Sequence, residues 1–185
     1  MIRWAADPVG RASIALALER IRLDGIPGAI AEIGVYRGET SKFLHQQAPE
    51  RTLYLFDTFA GFPGQNGDSR FRDTSVELIK AKLGNAGTVQ FRIGMFPQTA
   101  SGLENEVFSF VLFDADKYET AIASLEFFYP RLSPGGCFLL HDFNSSESDW
   151  AVSRAVREFM RDKPECIIEV PDIGGTAMFR KSKSG

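Results

Sequence analysis

The sequence predicts an α/β protein built on a mostly parallel sheet with helices on both faces. Three observations predict it. Short apolar runs alternate with segments of helical periodicity, the signature of βαβ units. Five of those runs, AIAEIGV (29–35), TLYLF (52–56), VQFRI (89–93), FSFVLF (108–113) and CFLLH (137–141), show little regular polar alternation, as strands buried on both faces require. The last two runs, CIIEV (166–170) and TAMFR (176–180), flank PDIGG without an intervening helix and read as an antiparallel hairpin. Seven strands follow.

Each connecting element has its own signal. In RASIALALERIRL (11–23) the apolar residues fall close to a helical stripe, and Gly25, Pro27 and Gly28 end it. Gly34 and Gly38 form the turn after the first strand, and Thr40 or Ser41 can cap a helix running to Gln47. Residues 58–73, TFAGFPGQNGDSRFRD, form a long loop whose Phe59, Phe62 and Phe71 read either as a lid over a ligand or as packing within the loop. Residues 75–83 read as a helix closed by Gly84, with a short helix over 98–104 and a longer one over 118–132. SPGG (133–136) reads as a turn, and residues 150–160 as the last helix. We read the chain as one domain, 1–185, with an N-terminal helical segment over 1–28.

Composition narrows the function. The 21 basic and 24 acidic residues leave a net charge of −3, so nothing favours nucleic acid or an anionic membrane surface. No apolar run approaches the roughly 20 residues of a membrane span. MIRWAADPVGRAS lacks the apolar core of a signal peptide, so a cytoplasmic protein is expected. Cys137 and Cys166 sit in apolar runs without metal-site spacing and read as buried, reduced thiols.

In an open parallel sheet, ligands bind beyond the carboxyl ends of the strands. Acidic and polar residues gather at those ends: Glu32 with Gly34 and Gly38, Asp57, Gly94 to Gln98, Asp114 with Asp116, and His141 with Asp142. The first turn lacks the G-x-G-x-x-G of a dinucleotide site. An acidic residue at position 32 disfavours phosphate and suits a cationic ligand. With Asp57 placed to chelate a ribose, the pattern suggests S-adenosylmethionine. Asp116, just before Tyr118, fits a helix cap. His45 reads as solvated helix surface. Tyr118 reads equally well as core or as a cofactor contact.

AEIGVYRGETSKFL resembles motif one of class I S-adenosylmethionine-dependent methyltransferases. LYLFDTFAGFPG, FRIGMFPQTA and FVLFDADKYETAIASLEFFYPRLSPGGCFLLHDF resemble the macrocin O-methyltransferase family, whose members methylate sugar hydroxyls. The resemblance implies a Rossmann-like class I methyltransferase fold. It implies cofactor contacts from Glu32, Gly34, Gly38, Asp57, Thr58, Phe59, Gly94, Met95, Phe96 and Asp114. It makes Asp114 catalytic and metal-binding, and Asp142 the second carboxylate of a D-D pair. The first member of that pair is His141 here, so two readings stay open. His141 joins Asp114 and Asp142 as a ligand, suiting a transition metal better than Mg²⁺, or it is a base that needs no metal.

The expected activity is O-methylation of a hydroxyl on a small molecule, a sugar or glycosylated metabolite, by in-line displacement. A homodimer is compatible with this. The competing readings are a cofactor-binding module without catalysis and a nucleotide-dependent oxidoreductase.

Overall fold

The computed structural model describes residues 7–61, 71–84 and 86–182. Most of the 58–73 loop, including Phe62, therefore lies outside the described residues. Helix α1 (Pro8–Leu23) is capped by Asp7, whose carboxylate accepts the Val9 N–H at 2.8 Å. Strands β1 (Ala29–Ile33), β2 (Leu53–Asp57), β3 (Val89–Ile93), β4 (Phe108–Phe113) and β5 (Leu132–Leu140) are parallel neighbours. Strand β7 (Ala177–Arg180) pairs antiparallel with both β5 and β6 (Ile168–Glu169). The order is β3-β2-β1-β4-β5-β7-β6, so the expected seven-stranded sheet with its antiparallel hairpin is present.

Alternation along the strands separates two apolar layers. Ile30, Leu55, Phe110, Leu112 and Leu139 face Ile14, Leu18 and Ile21 of α1, Leu44 of α2 (Glu39–Gln47) and Ile79 of α3 (Val76–Leu83). Ala31, Ile33, Phe56, Phe113, Phe138 and Leu140 face Leu125 and Phe128 of α4 (Tyr118–Phe128) and Val152 and Val156 of α5 (Ala151–Phe159). Helices thus cover both faces, as a parallel sheet requires. The second layer is strongly aromatic. Phe128 meets Phe96, Phe108, Phe127 and Phe138, at centroid separations of 4.9–6.4 Å. The phenylalanine-rich composition is thus largely a core feature.

Several local expectations change. SPGG is not a turn but the first half of β5. A side chain at Gly136 would lie 2.8 Å from the Ser109 carbonyl, so glycine lets the chain run close beside β4. The helix from Tyr118 ends at Phe128, because Pro130 follows and a 3-10 turn, Tyr129–Arg131, leads into β5. Gly38, in a left-handed conformation, precedes α2, so Thr40 and Ser41 lie buried inside the helix instead of capping it. The short helix after β3 is one 3-10 turn, Gln98–Ala100. Cys137 is buried but Cys166 is exposed, since it leads into an edge strand whose two residues are both exposed. His45 is half-buried. Tyr118 serves the core side: its hydroxyl donates to Glu158 at 2.6 Å and ties α4 to α5. No described helix is long and apolar enough to cross a membrane.

Candidate active site

Strand β1 lies between β2 and β4, so the crossovers leave it in opposite directions. The carboxyl ends of β1 and β4 flank the resulting crevice. At its floor Gly34 has φ +89, and a Cβ there would strike the carbonyl of Asp114, with the carbonyl carbon 2.7 Å away. Only glycine lets the two strand ends approach this closely.

Asp57 holds the crevice open at its other side. Its Oδ2 accepts the Val35 and Tyr36 N–H groups at 2.7 and 3.0 Å, and Oδ1 accepts the Phe59 N–H at 2.8 Å. One carboxylate therefore braces the turns after both β1 and β2, and keeps lone pairs for a hydroxyl. Thr58 donates to the Gly61 carbonyl at 2.6 Å and stiffens the second turn.

The crevice opens to solvent and is lined mainly by apolar surface with a few convergent polar groups, as small-molecule sites are. Gly34, Asp57, Thr58, Gly94, Met95, Phe96 and Asp114, all singled out from the sequence, line it. Glu32, Gly38 and Phe59 do not. Glu32 is 1% exposed, points toward α2 and accepts a short hydrogen bond from Ser41. Burial, more than its neighbours Asp114 and Asp57, pushes its carboxyl well above the usual range, against the Ser41 bond. Gly38 packs on Ile79, and Phe59 is buried on Phe91. Tyr36, Phe71, Asp116, Lys117 and Thr120 also line it, with Phe71 edge-on to Tyr36 at 5.1 Å.

Beside the crevice, β4 and β5 end in register, Phe113 opposite Leu140. The next residues, Asp114 and His141, are therefore neighbours. Strand alternation alone would send His141 and Asp142 to opposite sides. Strand β5 stops at Leu140, however, and Asp142 adopts a left-handed conformation, φ +55, which folds its carboxylate back. His141 Nδ1 then lies 2.9 Å from Asp114 Oδ1 and 3.0 Å from Asp142 Oδ2. Burial would lower the imidazole pKa. The charges and hydrogen bonds of Asp114 and Asp142 outweigh it and raise it to about 11, so His141 is an imidazolium at neutral pH.

Asp116 is not the expected cap. Lys117 occupies the cap position, without a side-chain bond to the N–H groups of the first turn, and Asp116 stands at φ +56 against Asp142. Burial first, then the hydrogen bond to Asp142, raises its carboxyl to about 8. Asp142 moves the other way: burial opposes, but bonds from His141 and Asp116 lower it. The spacing D-A-D was visible in the sequence, but the left-handed backbone that turns Asp116 inward was not.

Asp114, His141 and Asp142 each offer one ligand atom, all within 4.8 Å of one another. Separations of 2.9 and 3.0 Å are those of adjacent ligands about one metal ion at roughly 2.1 Å, so the donor set fits a divalent cation. With one imidazole among the oxygens it suits a transition metal better than Mg²⁺.

Residues 9–181 match the family model of Macrocin-O-methyltransferase (TylF). The chain is 28% identical over 184 residues to the 8-demethyl-8-(2,3-dimethoxy-alpha-L-rhamnosyl)-tetracenomycin-C 4'-O-methyltransferase of Streptomyces olivaceus, covering 88% of this chain and 69% of that protein. It is 28% identical over 144 residues to the Mycinamicin III 3''-O-methyltransferase of Micromonospora griseorubida, covering 65% of this chain and 57% of that one. Among solved structures, the O-methyltransferase NovP superposes with a TM-score of 0.76 at 20% identity, over 94% of this chain and 79% of NovP. The calicheamicin methyltransferase CalS11 gives 0.72 at 22%, over 92% and 77%. At these identities the two structures show the shared fold.

Proposed function

The chain belongs to the macrocin O-methyltransferase family, and from that premise we propose that it transfers the methyl group of S-adenosylmethionine to a hydroxyl of a small glycosylated metabolite, with Asp114, His141 and Asp142 as the reactive groups. The observation that carries this reading is the meeting of two features. A crevice lies at the switch point of the sheet, and Asp114, which lines it, is bonded to His141 beside it. A sugar is favoured as the acceptor because one relative is named for a rhamnosyl-tetracenomycin, and CalS11 is described as a TDP-rhamnose 3'-O-methyltransferase.

Methyl transfer breaks the bond from sulfonium to methyl and forms one from oxygen to methyl, while the hydroxyl proton leaves. The sulfonium is already a good leaving group, so the protein must align three atoms and manage that proton. In this reading Asp57 takes the ribose, Gly94, Met95 and Phe96 border the adenine, and Gly34 lets the methionine end lie on the β1 turn. Asp114 accepts a hydrogen bond from the attacking hydroxyl and takes its proton as the oxygen–methyl bond forms. His141 fixes the Asp114 carboxylate and neutralises part of its charge. Asp114, His141 and Asp142 would hold a divalent cation, which when bound supplies Lewis acidity to the acceptor oxygen. His141 must give up its Nδ1 proton to serve as a ligand.

Titration calorimetry with S-adenosylhomocysteine tests the cofactor assignment; no binding at high micromolar concentration overturns it. Transfer of labelled methyl to a panel of nucleotide sugars and glycosides tests the activity. Asp114→Asn should lower that transfer by about 100-fold or more, the usual effect of losing a proton-handling group. Full activity in Asp114→Asn would remove Asp114 from the reaction.

A further inference from the structure

We infer that Asp7 is a positioning residue for His141, acting through the loop that joins β6 to β7. The inference rests on His141 belonging to the reactive cluster, and it holds whether Nδ1 carries a proton or a metal.

Asp7 is buried, 2% exposed, and its two oxygens do different things. Oδ1 caps α1 through Val9, while Oδ2 accepts the Ile173 N–H at 2.5 Å, a bond across 166 positions of sequence. Ile173 stands next to Gly174, and Gly174 lies directly against the His141 ring. A Cβ at 174 would land on Nε2, with Cε1 and Cδ2 2.7 and 2.8 Å away. The loop has a rigid frame of its own. Asp172 accepts the Thr176 N–H at 2.7 Å, and Gly175 accepts the Asn144 N–H at 3.0 Å, two residues beyond Asp142. Pinned between Asp7 and the β5–α5 connection, the loop forms a wall against the Nε2 edge of the imidazole. That wall presses the Nδ1 edge toward Asp114 and Asp142. A helix cap needs only one acceptor. The second bond, which the same carboxylate accepts from a distant loop, is what the cap does not explain.

The two roles separate by substitution. In Asp7→Ser the hydroxyl can still cap α1, but it cannot also reach Ile173. The chain has only two histidines, His45 and His141, so the imidazoles of 15N-histidine-labelled protein give two assignable sets of ring signals. We expect the His141 signals to shift in Asp7→Ser while those of His45 and the far-ultraviolet spectrum stay unchanged. Gly174→Ala, which pushes the ring directly, should shift the same signals. His141 signals unchanged in Asp7→Ser would overturn the inference. If Asp7→Ser does not fold, Ile173→Pro, which removes the donated N–H and leaves the Asp7 charge and cap in place, is measured instead, and unchanged His141 signals there would overturn it equally. Failure of the wild type to bind S-adenosylhomocysteine would strike the methyl-transfer reading and leave the ring measurement intact.

Discussion

Glu32→Gln should stabilise the protein, and the gain should grow with pH. Glu32 is a carboxyl with 1% exposure, raised well above its ordinary value of 4.5 chiefly by burial and further by Asp114 and Asp57. The folded chain therefore retains a proton that the unfolded chain releases above 4.5. Stability from this group is complete below that pH and is lost as the pH climbs toward the folded value. Over that interval the loss is at most about 1.4 kcal/mol per pH unit, the free energy of one proton per unit. Glutamine cannot ionise, keeps an oxygen for the Ser41 hydroxyl and carries no slope. Urea unfolding of both proteins, without cofactor, between pH 5 and 8 tests this. The two should have similar unfolding free energies near pH 5, with the variant pulling ahead as pH rises, by at most about 1.4 kcal/mol per pH unit. A difference that does not change with pH, or a variant less stable at pH 8, would refute the reasoning.

Three other substitutions or conditions follow from the geometry. Arg51→Ala should cost about 2–4 kcal/mol, since its guanidinium serves the Ile26 and Gly28 carbonyls and Ser109 at 2.7–3.0 Å. Cofactor affinity should be unchanged, because these bonds lie at the opposite end of β1; a drop in S-adenosylhomocysteine binding would contradict that. Gly34→Ala should weaken S-adenosylhomocysteine at least about tenfold, 1.4 kcal/mol, by driving the β1 turn off the Asp114 carbonyl. Wild-type affinity by calorimetry would show that the contact is dispensable. Mn²⁺ should bind more tightly as pH rises from 6 to 9, by up to about tenfold per unit, because it must displace a proton whose pKa is about 11. Binding that ignores pH would mean that His141 is not a ligand.

The fold was readable because burial on both faces leaves a strong mark. Runs such as FSFVLF have no polar face to confuse with a helix or a surface strand. What escaped reading was backbone conformation. Glycines in SPGG suggest a turn, yet here they serve close packing beside Ser109. Asp116 and Asp142 are ordinary acidic residues in the sequence. Their left-handed conformations, which bring the two carboxyls together beside His141, are features of the folded backbone that the residue types do not announce. Glu32 shows the reverse error. Its place in the first turn suggested an anion facing the ligand, but strand alternation points it at Ser41 and α2. Cys166 was misread because an edge strand two residues long has no buried side.

The left-handed residue at 142 has a consequence for how this site can diversify. Because the backbone does the folding back, the identity of residue 141 is free of the task of shaping the turn. Aspartate and histidine codons differ by one base, so a single point mutation can exchange an anion for a cation at the centre of the cluster without rebuilding its scaffold. The His141→Asp variant is therefore one mutational step away, and the charge of the cluster can change at position 141 while the lining of the crevice stays intact.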